Sequence, residues 1–130
     1  MQEGDPGAYM DDGVHLHLRL TLAGGVRLGP GKIRLLEAIA ESGSISQAAR
    51  EMLMSYRRAW LLVNSVNQGL GEPVVTSRSG GSRGGGARVT QAGHRVIALY
   101  RAMERKARDA AGEELEALAG LARSGHHGEG

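Results

Sequence analysis

The sequence predicts a mainly helical domain carrying one small β-hairpin, and three observations predict it. Two short apolar stripes at helical spacing meet across a brief break, and each is opened by a serine, Ser44 and Ser55. Two β-branched runs, Val74-Val75-Thr76 and Ala87-Arg88-Val89-Thr90, flank a loop of glycine, serine and arginine. A last stripe, from Val96 through Met103 to Ala110, is long enough to extend beyond a compact three-helix core.

Residues 1–13 hold Gly, Asp and Pro without periodicity and are expected to be disordered. Val14 to Leu20 then alternates strictly, so a strand is expected with Val14, Leu16, Leu18 and Leu20 facing the core. Ala23-Gly24-Gly25 reads as a turn into a short second strand, Val26-Arg27-Leu28. Gly29-Pro30-Gly31 opens a helix with Ile33, Leu36 and Ala40 on one side and Leu35 and Ile39 beside them. That is more apolar surface than a three-helix core needs, so Leu35 and Ile39 are assigned to a dimer seam.

The next two helices carry the functional expectation. Ser44 and Gln47 have the Ser-x-x-Gln spacing of a capping box, and Ile45, Ala48, Ala49 and Met52 follow as one buried stripe. Small residues in mid-face let a neighbouring helix cross closely. Ser55 caps the second helix, whose stripe is Ala59, Leu62, Val63, Val66 and Leu70. Such a pair is the sequence form of a helix-turn-helix with its second helix free to enter a DNA groove. With Ala59 at the centre of the buried face and 100° per residue, Arg57, Asn64 and Gln68 lie near the opposite pole, Arg58 and Ser65 on one flank and Trp60 on the other. Arginine forks onto guanine O6 and N7, and Asn or Gln pairs with adenine N6 and N7. A solvated helix face would hold the same residue types. Leu61, also outward, suits either a thymine methyl or a protein contact, and Trp60 suits either packing against the hairpin or a DNA contact.

The hairpin reads as a wing, with Arg78, Arg83 and Arg88 around its tip and sides, placed to lie along the DNA backbone or reach the minor groove. A plain surface loop is the alternative. A nucleotide-binding P-loop is not, because the glycine run lacks the lysine-serine ending and the strand, loop, helix order. Thr90 caps the helix from Gln91. Its stripe of Val96, Leu99, Tyr100 and Met103 is assigned to dimerisation, the alternative being that it folds back on its own core. Gly112 is expected to break this helix before Leu115, Leu118 and Leu121 resume the pattern, which fades near Ala122. The expected organisation is therefore one domain over 14–122 between a disordered acidic 1–13 and a disordered tail, 123–130.

Charge is distributed in the same sense. Residues 1–13 carry four acids and no base, residues 14–108 carry 15 bases against 5 acids, and residues 109–130 carry one base against 5 acids, within a whole-chain net of +2. A basic body between acidic ends suits phosphate binding. The absence of cysteine excludes a disulfide framework and a thiolate metal site. His15 and His17 on one strand face, and His126 and His127 near Glu129, lack zinc-ligand spacing, so no metal and no cofactor is expected. No nucleophile, base and oxyanion constellation can be assembled, and no enzyme is expected. No apolar run approaches a membrane span and no signal peptide is recognisable, so no membrane partner and a cytoplasmic location are expected.

Together Pro30 to Ile39, the run Gly43-Ser44-Ile45-Ser46-Gln47-Ala48-Ala49, Met54-Ser55-Tyr56-Arg57-Arg58-Ala59-Trp60, the Gly-Gly-x-x-Gly-Gly-Gly wing and Val89-Thr90-x-x-Gly93 resemble the DNA-binding domain of ModE-type molybdate-dependent regulators, relatives of the LysR-type winged helix. The resemblance covers roughly residues 15–110. It implies a winged helix-turn-helix, dimerisation through helices of that domain and binding to an inverted repeat. In full-length regulators small β-barrel domains that bind molybdate follow; the few residues after Ala122 are too short for one, and no molybdate site is expected on this chain. Leu53 stands where the family has a glycine, and Leu61 where it tends to be acidic.

The expectation is thus a homodimeric winged helix-turn-helix with a long C-terminal dimerisation helix, bound to double-stranded DNA. Arg57, Arg58 and Asn64 would read bases; Ser44, Ser46, Gln47, Ser55 and Tyr56 would line the contact, the serines and Tyr56 on phosphates; Arg78, Arg83 and Arg88 would anchor the wing. The competing expectation is a protein-interaction module that partners a separate effector-binding chain.

Overall fold

The computed structural model describes residues 14–78 and 86–128, with side chains to residue 123. The described residues fall into two compact parts, one within Leu18–Arg101 and the other made of residues 14–17 and 102–128. The expected disordered 1–13 and Arg83 lie outside the described residues.

In Leu18–Arg101 the first strand, β1 (Leu20–Thr21), pairs antiparallel with β2 (Arg27–Leu28), Leu20 opposite Leu28. A 3-10 turn at Ala23–Gly25 joins them, with Gly24 and Gly25 at φ 88° and 92°, a region glycine enters without steric cost. The strand expected from Val14 is shorter than its alternation suggests. Val14, Leu16 and Leu18 are half-buried while His15, His17 and Arg19 are exposed, but only residues 20–21 are paired. Alternation reports a covered face; a ladder also needs a partner strand, and β2 offers two residues.

Three helices follow: α1 (Pro30–Ser42), α2 (Ile45–Glu51) and α3 (Tyr56–Gly69). Pro30 starts α1, where its missing N–H is no loss. Gly43 ends it at φ 73°, its N–H donating to the Ile39 carbonyl at 2.8 Å. The three helices close on Ile33, Leu36, Ala48, Ala49, Ala59, Val63 and Val66, where the alanines allow close crossing. Leu35 and Ile39, assigned above to a dimer seam, are fully buried in this same core. The apolar surplus of α1 is absorbed by that core and by the strand at Gly86–Val89, so neither residue is available to a second copy.

The turn from α2 to α3 is a Schellman motif: Leu53 N–H donates to Arg50 O at 3.1 Å and Met54 N–H to Ala49 O at 3.0 Å. It sets Leu53 at φ 58°, the one non-glycine positive φ among the described residues, with its side chain 93% exposed. Leucine there is strained by its Cβ.

The wing strands are β3 (Val75–Arg78) and β4 (Gly86–Val89), antiparallel with Val75 opposite Val89, Ser77 opposite Ala87 and Arg78 opposite Gly86. Ala87 N–H donates to Gly43 O at 2.9 Å, which ties the wing to the α1–α2 corner. A Cβ on Gly86 would stand 2.9 Å from that same oxygen, so the close approach requires glycine.

Thr90 leads into α4 (Gln91–Ala110), its hydroxyl accepting from Gly93 N–H at 3.0 Å and donating to Pro73 O at 2.8 Å. Tyr100, also assigned to dimerisation, is instead fully buried, its hydroxyl donating to Leu18 O at 2.6 Å. Here the helix does fold onto its own core. Arg101 grips the Glu37 carboxylate with two bonds, 2.9 Å from Nε and 2.7 Å from a terminal nitrogen. Val96 is half-buried, and Leu99 is exposed.

In the other part, the end of α4 is followed by a break at Ala111 and by α5 (Gly112–Gly128). The break falls where Gly112 was expected to place it, with Gly112 as the first residue of the new helix. The backbone of α5 stays helical past Ala122, where the apolar pattern fades, because i to i−4 bonding needs no apolar stripe to continue. Met103, Leu118 and Leu121 are exposed. No helix among the described residues is long and apolar enough to cross a membrane.

Leu53→Gly is expected to stabilise the domain by about 0.5–1 kcal/mol, the relief of left-handed strain exceeding the added unfolded-state freedom. Urea unfolding of both proteins checks this; a loss of stability would contradict the strain.

Candidate nucleic-acid interface

The start of α2 is set by serines. Ser44 Oγ accepts from Gln47 N–H at 3.0 Å, as the capping pattern predicts. The reciprocal half of the box is absent: Ser42 Oγ accepts from Ser44 N–H at 3.2 Å and takes the position that the Gln47 side chain would have filled. Gln47 turns along its own helix instead, its Oε1 accepting from Arg50 at 2.6 Å and its Nε2 donating to Glu51 at 3.3 Å. The expected DNA contact at Gln47 is therefore engaged within α2. Ser44 Oγ and Ser46 Oγ lie 3.2 Å apart, forming a small hydroxyl pair at the helix entrance.

Ser55 Oγ accepts from Arg58 N–H at 3.0 Å and fixes the first turn of α3. The helix buries Ala59, Val63 and Val66 and leaves Tyr56, Arg57, Arg58, Trp60, Leu61, Ser65 and Gln68 exposed, with Asn64 half-buried. No acidic residue occurs in α3. Among the described residues, no ion pair or hydrogen bond occupies the side chains of Arg57 and Arg58. Two uncompensated guanidiniums on a helix without a carboxylate are held ready for an anionic partner.

Between α3, the α2 entrance and the wing lies an open cleft of about 420 Å³. Ser44, Ser46, Tyr56, Trp60, Asn64, Thr76 and Ser77 line it, bringing hydroxyl, indole and amide groups together. Trp60 thus turns to the cleft rather than to the outer pole. Arg78 and Arg88 are exposed on the wing strands, and Arg78 reaches back over Gly43, one terminal nitrogen 3.1 Å from where a Cβ would stand. Arg88 and Arg78 share the strand face opposite to Val75, Ala87 and Val89. The structure so brings Ser44, Ser46, Tyr56, Asn64 and the wing base together, with Arg57 on the adjoining face of α3 and Arg58 on the flank away from the cleft.

A residue outside the expected contact set, Asn67, holds this arrangement. Asn67 Oδ1 accepts from Val74 N–H at 2.7 Å and Val75 N–H at 3.2 Å, while its Nδ2 donates to Val75 O at 3.1 Å. A signal was present: Asn67 stands one turn after Val63, a polar side chain at the edge of an apolar stripe, where burial demands a partner.

Residues 31–94 match the model of the bacterial regulatory helix-turn-helix proteins of the LysR family. The chain is 50% identical over 80 residues to the molybdenum-pterin-binding protein MopB of Rhodobacter capsulatus, spanning 62% of this chain and 30% of that protein. It is 44% identical over 80 residues to the molybdenum transport protein ModE of Azotobacter vinelandii, again 62% of this chain and 30% of the relative. With the DNA-binding transcriptional dual regulator ModE of Escherichia coli K12 the identity is 49% over 72 residues, 55% of this chain and 27% of the regulator. The N-terminal part of the chain thus matches a LysR-type helix-turn-helix and the DNA-binding domain of ModE-type regulators. The chain spans about a third or less of the length of these relatives. None of the three is named as an enzyme. The LysR-family match ends at His94, so it covers α1 to α3 and the wing, the elements that build the cleft, and the first turn of α4.

Asn67→Ala is expected to lower stability by about 2–3 kcal/mol, since it orphans two N–H groups and one carbonyl at the base of the wing. Asn67→Asp, which keeps the acceptor and loses the donor, should cost less. Denaturant unfolding of the three proteins ranks them, and equal stability of Asn67→Ala and wild type would remove the clamp from the account.

Proposed function

We propose that this chain is a sequence-specific DNA-binding transcriptional regulator, acting in the cytoplasm as a dimer on an inverted-repeat operator of molybdenum-related genes. The observation that carries the reading is the outer face of α3, where Arg57 and Arg58 stand uncompensated beside Asn64 and Gln68 with no acid on the helix. Arg57, Arg58 and Asn64 read base edges in the major groove. A phosphate strand lies along the neutral cleft, contacted by Ser44, Ser46 and Tyr56 with Ser55 at the start of α3, while Arg78 and Arg88 hold the backbone from the wing. Uncharged donors in the cleft and cations at its edges suit a phosphodiester, which needs hydrogen bonds locally and charge neutralisation over a longer range.

Two copies place their α3 helices in successive major grooves, about 34 Å apart. The parts of the expected seam open to a second copy are Leu99 and Met103, both exposed. Support for the molybdenum connection is the naming of the relatives above, one as a molybdenum transport protein and one as a molybdenum-pterin-binding protein.

Purified protein should enrich an inverted repeat from genomic fragments of its source at physiological salt, and Arg57→Ala with Asn64→Ala should lose it, each absent bidentate pair removing about 1–3 kcal/mol of discrimination. No retention of any fragment by wild type would overturn DNA binding. Arg88→Ala should weaken all duplexes evenly and lower the slope of log affinity against log salt by about one. A variant that changes sequence preference instead would show that Arg88 touches a base.

A further inference from the structure

Leu61 is 48% exposed at the outward pole of α3. The residues one helical turn from it in either direction are Arg57, Arg58, Asn64 and Ser65, all polar. The other large exposed side chains of the helix, Tyr56 and Trp60, line the cleft toward the wing, away from this pole. Leu61 is therefore a single apolar side chain inside a ring of cationic and hydrogen-bonding groups. A protein interface would need a contiguous apolar patch, which this ring interrupts.

The major groove offers one apolar group, the C5-methyl of thymine. A leucine set among groups suited to guanine and adenine edges meets that methyl and otherwise faces polar atoms that it cannot satisfy. We infer that Leu61 is a specificity-determining residue of this chain that selects a thymine in each half-site by contact with its methyl group. The inference rests on the proposed entry of α3 into the major groove. It adds a positional constraint: Arg57 and Leu61 are one turn apart, about 5–6 Å, so the thymine lies within about two base steps of the base that Arg57 reads. It also separates this chain from any relative with an acidic residue at the same place, because a carboxylate accepts from cytosine N4 and repels the phosphates rather than seeking a methyl.

The test uses duplexes selected from a random library by the purified full chain, then remade with deoxyuridine for each enriched thymine, a change that removes only the methyl. At one thymine per half-site the replacement should weaken wild-type binding about fourfold, the worth of one buried methyl-sized group. Leu61→Ala should bind the thymine and uracil duplexes alike, and Leu61→Glu should select cytosine there. Leu61 lies outside the buried core, so both variants should unfold with wild type in urea. Enrichment of a motif whose uracil form binds wild type equally well, or an equal methyl effect in Leu61→Ala, overturns the role of Leu61 and leaves DNA readout by α3 standing. Absence of any enriched motif overturns both.

Discussion

The interface depends on the amide of Asn67. It meets two successive N–H groups and a carbonyl at Val74 and Val75, the point at which the chain leaves α3 and turns into the wing. A two-stranded ribbon is marginal by itself in water. Here it is held at its base by Asn67, at its return by the Thr90 bonds to Pro73 and Gly93, and along β4 by the bond from Ala87 to Gly43. Each anchor is on a different element, so the angle between wing and α3 is fixed by the core rather than by the hairpin.

That fixed angle makes the polar groups work as one surface. Ser44 and Ser46 belong to α2, Tyr56 and Asn64 to α3, and Thr76 and Ser77 to β3, yet all line one cleft. The apolar side of each element is spent on the common core, which leaves the opposite side of α3 polar around Leu61 and without any acid. Arginines stand outside the cleft, where solvation costs less than burial and where their field reaches a polyanion before contact. The Leu53 strain belongs to the same arrangement: a Schellman turn at that place sets the crossing of α2 and α3, and the turn forms with leucine because its two backbone bonds outweigh about a kilocalorie of Cβ crowding.

Local chemistry made much of this legible in the sequence. Serine caps at 44 and 55, the 3.6-residue stripes and the β-branched runs each act within a few residues, and α2, α3 and the wing strands stand where those signals place them. The positive φ at Leu53 was legible as a position that favours glycine. What sequence could not show was what covers an apolar face. Leu35, Ile39 and Tyr100 have the pattern of a seam, but the core of the same molecule, with β4 against α1 and the Leu18 carbonyl on Tyr100, covers them first. Competition is equally invisible: the Ser42 hydroxyl displaced Gln47 from the capping box, and a short β2 left residues 14–19 outside the ladder. The place of Asn67 at the edge of an apolar stripe signals a need for partners but not which, because they lie seven and eight residues away across a turn, a separation with no periodic signature.

The most direct measurement of the account is an amide chemical-shift titration of the labelled protein with a duplex that it enriches. The largest shifts should fall on Ser44, Ser46, the exposed residues of α3 from Arg57 to Gln68, and Thr76 and Arg88 on the wing, with α5 little changed. Shifts concentrated on α4 and α5 with α3 unmoved would contradict the account, since the nucleic acid would then be held by a surface other than the one that Asn67 builds.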